Sequence, residues 1–266
     1  MITAKIICDS VSPNGTRLTT IELNMHRFIL AEFNTHRVFS RNSASSRAIP
    51  IEKRIKQVLE DPALPIEWGK NQKGMQAQEF LSERDRDIAH RSWLCASINA
   101  IRVVEHLSAI GLHKQVANRL LEPFLWHKVI VTSTEWENFF EQRCSPFAQP
   151  EMRILAEAMR FEYYTNNYPI LAPYGSWHMP YINSDDIDNY GINECKKASV
   201  ARCARVSYMT QDNEVNINKD IELYNRLHTS GHMSPFEHVA TPEAAGWDVK
   251  GNFKGWKQLR HEVFGK

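Results

Sequence analysis

Asn34-Thr35-His36-Arg37-Val38-Phe39-Ser40-Arg41-Asn42-Ser43-Ala44-Ser45-Ser46-Arg47 is the stretch around which this 266-residue chain is organised. The apolar run Phe28-Ile29-Leu30-Ala31 before it reads as the end of a strand, although so short a run also fits a helix. Ala48-Ile49-Pro50 and an amphipathic segment from Ile51 to Leu59 follow. A basic, hydroxyl-rich loop therefore closes a structural element. Guanidinium forks and serine hydroxyls suit the oxygens of a phosphate. The plainer reading is a solvated loop, and composition alone does not separate the two.

The whole chain narrows the choice. Hydrophobic residues make up 42% and charged residues 24%, as in an ordinary globular protein with a sizeable core. Thirty-two Lys and Arg against 31 Asp and Glu leave a formal charge of +1, which argues against a general nucleic-acid coat. No apolar run reaches membrane-spanning length and the N-terminal residues carry no signal-peptide core, so a cytoplasmic protein is expected. Cys8, Cys95, Cys144, Cys195 and Cys203 are odd in number and never spaced CxxC, which suits thiols in a reducing compartment.

Working outward, residues 2–8 and 17–23 read as strands joined by the turn Ser12-Pro13-Asn14-Gly15. A long helix is expected over 76–110, with Phe80, Ile88, Trp93, Ile98, Ile101 and Val104 as its apolar stripe and Gly111 beyond its end. A further helix starts near His113 and is interrupted by Pro123. Residues 125–131 are apolar and β-branched, and Thr132-Ser133-Thr134 offers a cap for the turn over 135–141. Helices are expected over 152–164, 192–205 and 219–227. Residues 165–193 read as a long irregular connection. The composite is one α/β (α+β) domain over 1–266.

The usual catalytic patterns fail. No cysteine sits in a protease-like context, and there is no GxSxG, GxGxxG or Walker loop. His232, Glu237 and His238 are metal-ligand types, yet their spacing is not HExxH and Pro235 breaks a helix there, so no metal is expected. What remains is a set of separated segments that mix Arg with His, Ser, Asn or Glu: 34–47, 118–119, 138–149, 205–207 and 234–238. Arginines without matching local acids point to a small anionic ligand, most economically a phosphate. Ordinary ion pairs are the alternative for any single one.

Together these segments resemble the flavin-dependent thymidylate synthases, in blocks 17–50, 113–162 and 198–240. The family signature is Arg-His-Arg, seven residues, then Ser, with an Arg two residues later. His36-Arg37, Val38 to Ala44, Ser45 and Arg47 match it. Thr35 replaces the first Arg, Ser43 stands where a Glu is usual, and Glu32 stands for an upstream Gln. Val116-Ala117-Asn118-Arg119-Leu120 resembles the segment whose Arg reaches the nucleotide phosphate. Asn138 to Arg143 resembles the stretch that supplies a flavin contact and the arginine at the pyrimidine. Ala204-Arg205-Val206-Ser207-Tyr208 and His232 to His238 resemble segments that the family carries before its signature. Here they follow it, so the chain reads as a circular permutation.

The resemblance implies a central, mostly antiparallel sheet packed with long helices. It implies reductive methylation of dUMP to dTMP, with methylenetetrahydrofolate as one-carbon donor, NADPH as reductant and FAD as carrier. By carry-over Arg143 is catalytic, stabilising charge on the pyrimidine edge. Glu32, Ser45, Ser46, Arg47, Arg119 and Arg143 would bind dUMP. Thr35, His36, Arg37, Ser43, Asn138, Ser234 and Glu237 would hold FAD, and Ser207 would lie near folate or flavin. A homotetramer is implied, with no nucleic-acid or membrane partner. The rivals are a hydroxymethylase, or an enzyme of another pyrimidine nucleotide, on the same scaffold. Others are a catalytically silent flavin- or nucleotide-binding protein and a nucleic-acid module using the basic loop.

Overall fold

The computed structural model describes residues 1–165, 168–208, 216–244 and 251–265. Strands β1 (Thr3–Val11) and β2 (Arg17–His26) form the expected hairpin. Gly15, at φ +82, supplies the positive φ of its turn, and its N–H donates to Ser12 O at 2.9 Å. With β3 (Ser40–Ser43), β4 (Trp126–Ser133) and β5 (Ile170–Leu171) they make a sheet ordered β3-β4-β2-β1-β5. All its pairings are antiparallel except β1 with β5. A short second sheet pairs β6 (Ala240–Pro242) with β7 (Trp256–Gln258). The α/β, mostly antiparallel architecture is as expected.

One sheet face is dry. Ile21, Leu23, Met25, Val129 and Val131 alternate along β2 and β4. They pack on α5 (Glu137–Arg143) and α6 (Pro150–Thr165) through Trp136, Phe139, Met152, Leu155 and Met159. The opposite face carries Thr20 of β2 directly across from Thr132 of β4. Their hydroxyls, 2.7 Å apart, are the centre of a buried polar row.

That row crosses four strands. Thr132 Oγ1 lies 2.7 Å from Nδ1 of His238, and Thr20 Oγ1 lies 2.8 Å from Nε2 of His178. Nδ1 of His178 reaches Ser10 Oγ at 2.9 Å. At the far end the Asn42 amide nitrogen donates to Nε2 of His238 (3.1 Å) and to the carbonyls of Ser234 and Arg41. That assignment of the amide, made from the network, fixes the direction of the rest. His238 Nδ1–H donates to Thr132, Thr132 to Thr20, Thr20 to His178, and His178 Nδ1–H to Ser10. Burial pushes both imidazoles down to about 3, so each is neutral and carries the single ring proton this direction needs.

Several elements differ from the sequence reading. The run before the signature is helical, not a strand: a 3-10 turn over Arg27–Ile29 leads into α1 (Leu30–Phe33). Ile29 and Phe33, four apart, are both fully buried, and helical spacing is what sends both to the core. After α2 (Ile51–Glu60), the long helix α3 begins at Glu83, not 76. Ser82 caps it by accepting the Asp85 N–H. Phe80, Ile88 and Ile98 of its expected stripe are exposed, while Ile101 and Val104 are buried. Its C-terminal half packs against α4 (Lys114–Ala117) and the 3-10 segment Asn118–Phe124 that contains Pro123, and Trp93 before it packs on Phe124 and Phe28.

Thr132 and Ser133 belong to β4, and α5 starts after Trp136 without a side-chain cap. The irregular connection is shorter than expected, because α7 (Ser184–Arg205) starts with a capping box of Asn183 and Asp186. Gly191, at φ +74, breaks it into two helices, and the expected helix over 192–205 is the second. Residues 209–218 read in sequence as a polar loop and lie mostly outside the described residues; α8 (Ile217–Thr229) begins two residues before the helix expected over 219–227, and α9 (Leu259–Phe264) is the last helix. Among the described residues no helix is long and apolar enough to cross a membrane.

Thr132→Val should strip the acceptor from His238 and the donor from Thr20 inside the row. The expected cost is about 1–3 kcal/mol, read as a lower denaturant midpoint with an unchanged slope, and Thr132→Ser should recover most of it.

Candidate functional site

The signature loop is held from both sides. Ala44 N–H donates to Lys128 O on β4, and Ser45 N–H to Ser207 O, each at 2.9 Å. Buried Asn118 donates its amide to the carbonyls of Ser46 (2.8 Å) and Ile49 (3.0 Å). Lys114 Nζ donates to Ala48 O at 2.9 Å. These ties shape a groove of about 700 Å³, walled by the turn at Arg27 and Leu30, residues 41–48, His113, Gln115, Arg119, Ser207, Tyr208, His232 and Ser234. Ser43, Ser45, Ser46, Arg47, Arg119, Ser207 and Ser234 therefore meet in one place, from segments far apart in the chain.

Arginines dominate this groove. Arg41 Nη1 is turned to the carbonyls of His36 (3.0 Å) and Phe33 (3.3 Å), bracing the loop. Arg47 is exposed. Arg119 and Arg27 are not without an acid, as the sequence suggested for such arginines: Glu122 Oε1 accepts from Arg119 Nη1 (2.8 Å) and Arg27 Nη2 (3.2 Å). The same oxygen accepts from Ser46 Oγ at 2.5 Å, so the Ser46 hydroxyl points away from the groove opening. Arg205 is likewise paired, with Nε and Nη2 on Asp220 at 3.0 and 2.7 Å.

A second cavity, of about 530 Å³, lies on the other side of the 27–33 turn. Phe28, Glu32, Trp93, Arg143 and residues 147–151 line it. Arg143 Nε donates to His36 Nε2 at 2.9 Å, and Nη2 to Thr35 Oγ1 at 3.3 Å. Thr35 Oγ1 in turn donates to Glu32 O at 2.7 Å. The His36 ring stands edge-on to Phe139, centroids 4.8 Å apart, one helical turn before Arg143 on α5. Burial, then the charges of Arg143 and Arg41, lower His36 to about 4. A neutral imidazole is what can accept the Arg143 N–H. One oxygen of Glu32, Oε2, is buried without a hydrogen-bond partner among the described residues.

The remaining expected site residues lie elsewhere. Arg37 and Asn138 are exposed and line neither cavity. Glu237 is committed to Arg260 Nη1 (2.7 Å) and Ser40 Oγ (2.8 Å). Of the metal-type trio, His232 is in the groove wall, Glu237 in that ion pair and His238 in the buried row. Sequence reasoning missed Arg27, which directly follows β2. The strand's period-two pattern continues to His26 and could have marked Arg27 as the first residue beyond it.

Fold and site together describe an α/β protein with a serine- and arginine-lined groove at one edge of its sheet, suited to a phosphorylated ligand. The chain belongs to the thymidylate synthase complementing protein family, whose model matches residues 15–166. The match takes in the signature and the 113–162 block and ends before the 204–208 and 232–238 segments. Among solved structures, the fold is similar to a UMP/dUMP methylase, PolB, from Streptomyces cacaoi. Its form bound with 5-Br UMP aligns with a TM-score of 0.52 at 16% identity, over 62% of this chain and 89% of that one. Its form bound with 5-Br dUMP gives 0.50 and 15%, over 62% and 90%. Thymidylate synthase X from Helicobacter pylori, with FAD and dUMP, gives 0.38 and 17%, over 55% and 67%. No curated protein matches the sequence.

The histidines predict acid sensitivity. His36 is lowered to about 4, and His127, His178 and His238 to about 3, from an ordinary 6.5. Burial is the first cause for each. Unfolding raises these values, so the unfolded chain binds more protons and stability is lost as pH falls below about 6.5. Urea midpoints should therefore drop steadily from about pH 7 to about pH 5, with proton uptake on unfolding; a flat profile would contradict the neutral, buried imidazoles.

Proposed function

We propose that this chain is a flavin-dependent enzyme that methylates dUMP at C5 to dTMP, with methylenetetrahydrofolate and NADPH as co-substrates. The observation that carries the reading is the convergence of Ser45, Arg47 and Arg119 in one groove with Ser207 and Ser234, within a chain of the thymidylate synthase complementing family. Ser45 and the two arginines would take the phosphate, and Ser46 would shape the loop from beneath. Arg143 and Glu32 would face the base, a permanent donor beside a buried acceptor oxygen. His36 and Thr35 would hold Arg143 ready, which reduces the reorganisation needed when charge develops on the ring.

The donor set fits a flavin dinucleotide, since Ser43 and Ser234 face the same basic groove and leave room beside the phosphate wall. Bound there, the flavin would supply hydride transfer. Arg37 and Asn138 are exposed, and the groove and the Arg143 cavity lie on opposite sides of the 27–33 turn. A nucleotide spanning both roles is best served by two copies of the chain. A homotetramer with shared sites, in the cytoplasm, follows from this reading. The C-terminal position of 204–208 and 232–238, packed on the signature loop, supports a circularly permuted order.

A second reading is favoured by Thr35 and Ser43, which stand where the signature has Arg and Glu, and by the likeness in fold to a UMP/dUMP methylase. The substrate would then be another pyrimidine nucleotide, or the product a hydroxymethyl derivative. Purified protein should be yellow, and an assay with dUMP, methylenetetrahydrofolate, NADPH and FAD should give dTMP by mass. A hydroxymethyl product, or turnover of UMP alone, would select the second reading; binding without turnover would select a silent protein. Arg143→Ala should lower turnover by about a hundredfold while the visible flavin absorbance stays.

A further inference from the structure

Arg27 lies within the 17–50 block but outside the motif residues that carry the resemblance, yet it is a wall of the groove. Its backbone is pinned, with N–H donating to Leu125 O at 2.9 Å. Its Nη2 is spent on Glu122, while its Nε is buried and has no hydrogen-bond partner among the described residues. A buried guanidinium N–H left in that state is costly unless an acceptor arrives. Beneath it lie buried Arg54 and His127, both of which feel the Arg27 charge. Burial and then Arg27 push Arg54 down to about 10. Positive charge is thus in excess around one carboxylate, Glu122, and a multiply charged anion is the natural counter-ion.

Glu122 is not itself a wall of the groove. It stands behind the wall and gathers donors from three separate segments on a single oxygen: Arg27 after β2, Ser46 of the signature loop and Arg119 of the 3-10 segment. Each guanidinium has further N–H groups to offer once one is fixed in this way. We propose that Arg27 contacts the phosphate of a phosphomonoester ligand directly, and that Glu122 is the positioning residue that aims Arg27 and Arg119 at it. This rests on the nucleotide reading of the groove. The two roles predict a sign that electrostatics alone would reverse, because removing the Glu122 charge makes the groove more positive.

Calorimetric titration of the full chain with inorganic phosphate, dUMP and deoxyuridine tests this. Arg27→Gln and Glu122→Gln should each weaken phosphate and dUMP by about tenfold or more and leave deoxyuridine unchanged. Arg27→Lys, which keeps the charge without the fork, should recover part of the loss. Glu122→Asp keeps the carboxylate one methylene short, and should fall between wild type and Glu122→Gln; it also serves if the Gln variant does not fold. Unchanged phosphate affinity in Arg27→Gln would overturn the contact, and so would equal weakening of deoxyuridine, which marks a purely structural role. Tighter phosphate binding by Glu122→Gln would overturn the positioning role. If wild type binds phosphate, the variants weaken it, and dUMP never binds, the Arg27–Glu122 pair stands and the nucleotide reading falls.

Discussion

The row Ser10, His178, Thr20, Thr132, His238 and Asn42 is the constraint on which the rest of the structure depends. A sheet face lined by hydroxyls cannot be buried unless every one of them finds a partner. Two histidines from opposite flanks of α7 and α8 supply those partners. In doing so they fasten the C-terminal third of the chain to the sheet. Asn42 then hands the row's last donor hydrogens to the carbonyls of Ser234 and Arg41, at the entrance of the groove. Glu237 and Gln258 brace the same edge through Ser40, at 2.8 and 3.0 Å. Core and site are one network here, so loosening the row should loosen the groove.

A second consequence concerns Thr35. Arg143 folds back onto Thr35 Oγ1 and His36 Nε2, two acceptors in adjacent residues. An arginine at position 35 would set two guanidiniums against each other at that point and send Arg143 elsewhere. The departure from the signature and the posture of Arg143 are therefore a single feature. Neutral His36 completes it, and Phe139 holds the ring from the side. The chemistry at this corner depends on α5 presenting an aromatic edge and a guanidinium one turn apart.

Much of the fold was legible in the residues. Alternation marked β2 and Asn14-Gly15 marked the hairpin. Phe28 to Phe33 was not legible as a helix, because four to six apolar residues carry no period until the burial of Ile29 and Phe33 reveals one. The stripe on α3 failed for a different reason. Of its N-terminal half, Trp93 packs on Phe28, Trp68 and Phe124, while Ile88 of the same stripe is exposed. At the site, residue types pointed to most of the residues that line one groove, whose anion is a proposed reading. The pairing of Arg205 with Asp220, fifteen residues away, could not be read, whereas Glu122 stands three residues from Arg119 at a spacing that helical geometry pairs and was overlooked. Arg27 was hidden by lying one residue past a strand.

The circularly permuted order proposed for this chain has a physical reading in these contacts. The sheet's main pairings, β1 with β2, β2 with β4 and β3 with β4, all form within residues 3–133. The segments at 204–208 and 232–238 add no strand to that sheet. They reach it through hydrogen bonds that span 106 residues from Thr132 to His238 and 197 from Ser40 to Glu237. Loop-closure cost grows only slowly with such separations, so placing these segments before or after the signature changes stability little. What cannot change is the face they present: an imidazole for Thr132, a carbonyl for the Asn42 amide and another for the Ser45 N–H. A chain that keeps those groups can tolerate reordering of its segments without losing the groove.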